Sequence, residues 1–400
     1  MSAPIINTRS PYYLKVVDED TVKTLSSVTM QIEVYEGVQG DATGTPTYTL
    51  TKDATSATIN YAVFEISELI RDYLYTNYYD ASVDCLWVKV TATGVDASDA
   101  SVDVGIDLGE EGIVTTAYLI AIDGFGNFNE GANPRTSSNP LEDTYTPMLL
   151  QNTRKLYFIK GKEMKLPIYA VPEPTISFSS GLSSVSITDN GNSNQKIQYL
   201  TISAGATNVF TTGDTITLTS TVGETQTQSL ELVELCDLKY NPIKVFFYNR
   251  FGAIEEMWLN KKSVNSMTVS SEQYKTSVFD YGTLTYDVNR HSNKKFSVQG
   301  KERISASSGY LSQDINPSFK EMLLSENVWI MLDTSASDGQ TWTQVNTYWG
   351  ETPRLWLEED DIIPVTVATS DITEKTSVND KLIAYTFEFE YAFDKIQNIR

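Results

Sequence analysis

Alternation of apolar and polar positions is the strongest signal in this chain. In KLIAYTFEFEYAF, residues 381–393, Ile383, Tyr385, Phe387, Phe389, Tyr391 and Phe393 share one parity. Ala384, Thr386, Glu388, Glu390 and Ala392 share the other. A period of two predicts a β-strand with one dry face and one wet, acidic face. The stretch VFFYNRFGAIEEMWL, residues 245–259, behaves differently. Val245 and Phe247 fall on one face, and Phe246 and Tyr248 on the other. It reads as a hairpin, with Gly252 supplying the positive φ that closes the loop. A strand that is apolar on both faces is covered on both. One cover is expected to be the domain's own second sheet. The other is a neighbouring domain, a helix or an adjacent subunit, which makes Phe246, Tyr248 and Trp258 interface candidates.

Helical spacing appears twice. In FEISELIRDYLYTNYY, Ile66, Leu69, Ile70, Tyr73 and Leu74 recur on one face, with Ser67 or Glu65 serving the first turn. In INPSFKEMLLSENVWIML, Asn316 is the expected N-cap and Pro317 the first helical residue, with Phe319, Met322 and Leu323 as the apolar stripe. An apolar strand with a tryptophan follows each helix, carrying Trp87 in CLWVKV and Trp329 in NVWIML. The two regions read as α+β units of similar plan.

Two segments depart from these patterns. Residues 123–153 are rich in Gly, Asn and Pro and lack periodicity, so they form an extended linker or an arm on a neighbouring surface. Phe125, Phe128, Met148, Leu149 and Leu150 favour a docked arm. Residues 175–230 hold 22 Ser or Thr among 56 positions, with only Asp189, Lys196, Asp214 and Glu224 charged. Short strands and tight turns there predict a small immunoglobulin-like module. Its expected core is Ile176, Phe178, Val185, Ile187, Leu200, Ile202, Phe210, Ile216 and Leu218.

The fold class expected is therefore mainly β. Several β-sandwich or barrel domains are predicted, two of them carrying one short helix each. The expected boundaries are 1–122 for an N-terminal sandwich with a helix, then 123–153 for the linker or arm. A second β domain spans 154–174 and 231–300, with 175–230 inserted into it. Residues 301–400 form a C-terminal α+β domain. A length of 400 residues with 40% apolar composition supports two to four such cores.

Charge narrows the function. Thirty basic residues stand against 52 acidic ones, a net charge of −22. Such a surface repels phosphate, so specific nucleic-acid binding is not expected. Cys85 and Cys236 lie far apart in apolar runs and read as buried thiols. The start carries no basic-then-apolar leader and no run approaches ~18 apolar residues, so export and membrane spanning are not expected.

The search for chemistry assigns no catalytic, cofactor-binding or metal residue. His291 is the single histidine and reads as a solvated loop residue. Neighbouring carboxylates such as Glu255 and Glu256 point to opposite faces of a strand and do not make a glycosidase pair. Trp329, Trp342, Trp349 and Trp356 crowd together, which fits packing or a subunit interface, with Trp342 and Trp349 as contact candidates. A sugar-binding platform is the other reading of that cluster.

Several stretches resemble a structural-protein family of tailed bacteriophages infecting Bacteroidetes, the crAss-like phages included. They are INTRSPYYLKV, FEISELIRDYL, YNRFGAIEEMWLNKKS, GYLSQDINPSFKEMLLSENVWIML and NDKLIAYTFEFEYAF. The resemblance implies a non-enzymatic virion protein of the neck or tail, synthesised in the host cytoplasm. It implies a ring or hub around the DNA channel, a homo-oligomer of roughly six or twelve copies meeting portal, ring or other hub subunits. In that setting Glu388 and Glu390 are candidates for an acidic channel wall past which DNA slides during ejection. A cell-surface or secreted carbohydrate-binding adhesin is the alternative.

Overall fold

The computed structural model describes residues 4–37, 40–54, 60–74, 85–109, 112–130, 148–160, 162–169, 175–178, 185–186, 197–203, 212–219, 228–235, 239–286, 288–332, 362–373 and 382–396. The chain is mainly β, with two α-helices among the described residues and no sheet closing into a barrel there. It divides into two compact units. One holds residues 1–234 and 248–256, the other 235–247 and 257–400.

The first unit opens with a β-sandwich. One sheet contains β1 (Ile5–Asn7), β3 (Ser27–Tyr35), β4 (Tyr48–Asp53), β6 (Cys85–Val95), β7 (Ser101–Val102) and β10 (Thr116–Ile122). Its order is β1-β10-β6-β3-β4, with β7 beside β6. The facing sheet has the order β5-β2-β8-β9, from β2 (Tyr13–Asp18), β5 (Tyr61–Glu65), β8 (Val104–Asp107) and β9 (Ile113–Val114). Alternation builds the core between them. Val28, Met30 and Ile32 turn inward from β3 while Gln31 stays exposed, and Leu14 and Val16 do the same from β2. Helix α1 (Ser67–Arg71) adds Ile70, flanked by Ile66 and Leu74. Glu65 accepts the Ser67 amide at 2.9 Å, so the first turn is served from just outside the helix.

A second sandwich follows in the same unit. Its smaller sheet is β11-β13-β16, from β11 (Met148–Leu149), β13 (Glu163–Tyr169) and β16 (Ile197–Ser203). Its larger sheet is β12-β18-β17-β14-β15, from β12 (Lys155–Phe158), β14 (Thr175–Phe178), β15 (Val185–Ser186), β17 (Thr215–Thr219) and β18 (Gln228–Glu234). The first strand of the larger sheet runs parallel to the last, pairing Leu156 with Leu232. The remaining pairs are antiparallel, and the chain crosses between sheets as in immunoglobulin-like sandwiches. Leu200 and Ile216 are buried here, as expected for the core.

This topology corrects the boundaries read from sequence. The strands within 175–230 are not a module set into a different sheet. Full-length pairing of β13 with β16, and of β12 with β18, ties them to residues 155–169. The flanking strands KLYF and EMKLPIY therefore do not share a sheet with VFFYN. Local composition misled here, because strand partners are chosen by register over distance rather than by similarity of texture.

In the second unit a seven-stranded sheet runs β20-β19-β26-β27-β29-β24-β21. Its members are β19 (Ile243–Tyr248), β20 (Ile254–Leu259), β21 (Val264–Lys275), β24 (Asn293–Ser307), β26 (Val328–Leu332), β27 (Ile362–Val367) and β29 (Thr386–Tyr391). Two short pairs accompany it, β22 (Phe279–Asp280) with β23 (Thr285–Tyr286), and β25 (Leu311–Ser312) with β28 (Leu382–Ile383). Helix α2 (Asn316–Leu324) packs Phe319 against Tyr385 at 5.3 Å and Phe387 at 5.0 Å between ring centroids. The dry face of the terminal strand thus holds from Ile383 to Phe389, but Phe393 is exposed.

Asn316 does not cap α2. Ile315 stands at the N-cap with no side-chain bond, a 3-10 turn (Gln313–Ile315) leads in, and Ser312 caps that turn. Asn316 instead is buried and its Oδ1 accepts the Tyr385 hydroxyl at 3.1 Å. The preceding turn has taken over the start of the helix.

Candidate functional site

The densest set of buried polar groups in the first unit lies where three loops meet. Asn7 ends β1 and Thr8 and Ser10 follow it in the loop, Asp123 and Gly124 come from just past the end of β10, and Asn249 to Ala253 from the tip of the β19–β20 hairpin. Asn7, Thr8, Ser10, Asp123, Asn249 and Arg250 are all buried. A buried polar group is costly unless it is bonded, and these groups bond to one another's loops. The Thr8 amide and hydroxyl both donate to the Ile122 carbonyl, at 3.0 and 3.1 Å. The Arg9 amide donates to Gly124 O at 3.0 Å, and the Phe125 amide to Arg250 O at 2.8 Å. The Gly126 amide reaches Ser10 Oγ at 2.8 Å. From helix α1, Arg71 Nε lies 3.4 Å from Asp123 Oδ1.

Asn249 organises the hairpin tip. Its Oδ1 accepts the amides of Phe251 and Ala253, at 3.0 and 3.2 Å. Its Nδ2 donates to Leu150 O at 2.6 Å and to Glu255 Oε2 at 3.3 Å. Both donors and both lone pairs of a fully buried amide are thereby engaged. The tip has φ +71° at Gly252, as the hairpin reading required.

Two glycines make the approach possible. A Cβ at Gly252 would stand 2.7 to 2.9 Å from backbone atoms of Asp123. One at Gly124 would stand 2.5 Å from Asn7 Oδ1 and 2.7 Å from Arg250 O. Beneath them Phe251 and Ala253 enter an apolar cluster. Ile5, Cys85, Trp87, Ile120 and Ile122 come from the first sandwich, and Leu150, Tyr169 and Ile197 from the second. The hairpin tip is thus a plug that fastens the two sandwiches together.

The neighbouring carboxylates diverge as a strand requires. Glu255 faces Asn249, while Glu256 Oε2 accepts the Lys165 amide at 2.8 Å. Both are buried and occupied in structure. Among the described residues no three His, Cys, Asp or Glu side chains are grouped as a metal site would require.

The structure relocates several candidate residues. Phe246, Tyr248 and Trp258 are buried within the chain itself, so they are not surface contacts for a neighbouring subunit. The Lys244 ammonium lies over the rings of Phe246 and Trp258, at 5.2 and 5.5 Å. Phe125 is half-buried, with the Arg9 guanidinium 5.3 Å from its ring, whereas Phe128 is fully exposed. Trp342 and Trp349 lie outside the described residues. Glu388 is exposed. Glu390 is bonded by Lys301 at 2.8 Å and by Arg303 at 2.7 Å. These two bases hold its carboxyl below the ordinary glutamate value. It therefore presents a neutralised charge, which does not suit the channel-wall role read from sequence. His291 is exposed, in the turn region that leads into β24.

Sequence reasoning missed the junction. Its signal was present in NTRSP, DGFGN and YNRFG, three short clusters of Asn, Arg, Gly and Phe that each follow an apolar strand. No protein-family model and no curated protein matches the chain.

Proposed function

We propose that this chain is a non-enzymatic structural protein of a tailed-phage virion, a neck or tail subunit repeated by symmetry as a ring or hub. The observation that carries this reading is the three-loop junction. Its buried amides and carboxylates hold β domains in a fixed relation and expose no reactive group, which is construction suited to bearing load. Net charge supports it too, because a protein with 52 acidic against 30 basic residues does not hold DNA that must pass by. Immunoglobulin-like sandwiches are an architecture that recurs across many proteins without sequence similarity.

The test is direct. Purified particles of the phage that encodes the chain are analysed by mass spectrometry and by electron microscopy with labelled antibody. The expected result is a stoichiometric component at the neck or tail. Absence from particles, with the protein found at a cell surface or in culture medium, would replace this reading with the adhesin.

A further inference from the structure

In the second unit, β21 and β24 continue beyond the sheet as a two-stranded arm. Pairing runs from Val264 with Ser305 to Lys275 with Asn293, while β29 flanks β24 only over Arg303–Ser307. From Met267 outward the ribbon has no third strand, though the Lys395 amide still donates to Gly300 O at 2.8 Å, opposite Val269. The roughly six residues of strand beyond, at ~3.4 Å each, give about 20 Å of projection before the turn region. Every residue of β21 except one is exposed, on both faces. A bulge between Ser270 and Glu272, with Ser297 at φ +52°, bends the ribbon midway.

The arm is too apolar for open solvent. Met267 and Val269 are just over half exposed, and Tyr281, Leu284, Tyr286 and Val288 more so. A bare two-stranded ribbon is marginally stable in water, and contiguous exposed apolar surface marks an interaction site. Edge length points the same way. The other strands at the ends of the large sheets are two to six residues long, against 12 for β21. Short edges blunt strand addition, and long ones invite it.

Charge selects the occupant. The ribbon itself, residues 267–302, holds five bases (Lys275, Arg290, Lys294, Lys295, Lys301) against four acids (Glu272, Asp280, Asp287, Glu302), and Lys301 is paired with Glu390. The rest of the chain then holds 25 bases against 48 acids. An apolar arm without the body's negative charge, with Lys275, Arg290, Lys294 and Lys295 near its far end, therefore complements the acidic body of its own kind. We infer that the β21–β24 arm reaches onto a second copy of this chain and joins subunits head to tail. Such a heterologous contact closes into a ring when its rotation permits. The inference deepens the structural-protein reading and rests on it only for the ring.

The experiment uses the full chain. Sedimentation velocity across a dilution series compares wild type with a quadruple variant, Lys275→Glu, Arg290→Glu, Lys294→Glu and Lys295→Glu. A second variant, Tyr281→Ser with Leu284→Ser and Tyr286→Ser, removes apolar surface without touching a core. Wild type is expected to self-associate, less so at high salt. Each variant is expected to associate at least tenfold more weakly with an unchanged melting midpoint. A photocrosslinker at Tyr281, in a mixture of heavy- and light-isotope chains, is expected to give mixed dimers. A wild type that stays monomeric, variants that associate like wild type, or capture of DNA or glycan in place of a second chain would overturn the arm. None of these outcomes bears on whether the protein is found in particles, so the two readings fail separately.

Discussion

Gly252 is the residue at which the junction is most exposed to a single methyl group. Replacing it with Ala has two costs that can be separated. The first is conformational: φ is +71°, and an L-residue there costs about 1–2 kcal/mol. The second is steric, because the new Cβ would lie 2.7 Å from Asp123 C and 2.8 Å from Asp123 N. Backbone cannot swing aside as a side-chain end does, so the two loops must separate. That lengthens the bond from Phe125 N to Arg250 O, which spans the gap between them. Its loss sets the steric part at about 1 kcal/mol. Gly44 supplies the control, since its φ is +82° and nothing stands within 4 Å of its Cβ position. Gly44→Ala then reports the conformational part alone. For a unit of this size, an excess of about 1 kcal/mol corresponds to roughly 2–4 °C in the midpoint. Calorimetry of both variants measures the difference, and hydrogen exchange at the Phe125 and Ala253 amides locates it. Equal midpoints for the two variants, with unchanged exchange at those amides, would refute the interlocked-loop account.

Four further outcomes are expected. Filter binding at ~150 mM salt should retain no duplex DNA, and tight retention would overturn the argument from net charge. Asn316→Ala should cost about 1–3 kcal/mol because it removes the acceptor of the buried Tyr385 hydroxyl. Adding Tyr385→Phe should recover part of that in a double-mutant cycle, where simple additivity would count against the pairing. Deleting 175–230 should abolish soluble folding of the first unit, since it removes β14 to β17 and part of β18 from a sandwich that begins at Met148. A soluble deletion with native-like circular dichroism would restore the inserted-module reading. Trimming the arm by joining Val269 to Gly300, a paired position, through Asn-Gly should leave the midpoint within a few degrees, and a collapse of cooperative unfolding would make the arm part of the core.

What the sequence disclosed followed period and local turn chemistry. The inward parity of Phe387 and Phe389, the helical stripe at Ile66 and Ile70, and the left-handed Gly252 are local facts that a short window holds. Partner choice is not local. Residues 155–158 pair in parallel with 231–234 across more than seventy positions, and no window of the chain displays that. The cover over Phe246 and Trp258 was misjudged for the same reason, because a strand shows that both its faces are dry but not what dries them. Asn316 failed differently. An Asn before Pro is a sound cap signal, yet the 3-10 turn at Gln313–Ile315 had already begun the helix. The arm was overlooked because its alternation looks like that of any half-buried strand until both faces prove exposed.

The three β domains use one chain plan, and that plan explains where the arm sits. In the first sandwich a hairpin, β3 and β4, is followed by β5 in the other sheet, then by α1. Strand β6 then returns beside β3, and β10 lies beside β6. The second sandwich repeats this without a helix: β14 and β15, then β16, then β17 beside β14 and β18 beside β17. The second unit repeats it with a helix: β19 and β20, then β25 and α2, then β26 beside β19 and β27 beside β26. Even the tryptophan strands match, with Trp87 opposite Tyr35 and Trp329 opposite Phe246. The helix-then-tryptophan likeness visible in sequence thus reflects a shared topology. Against this plan, residues 264–307 are an addition between the hairpin and the helix, at a point where the other two copies use fewer residues. An addition that leaves every pairing of the plan in place enters its own domain's core only at its base, through Ile304 and Ala306 beside β29. The apolar side chains left exposed beyond that base, Met267, Val269, Tyr281, Leu284 and Tyr286 among them, are those the second copy is proposed to cover.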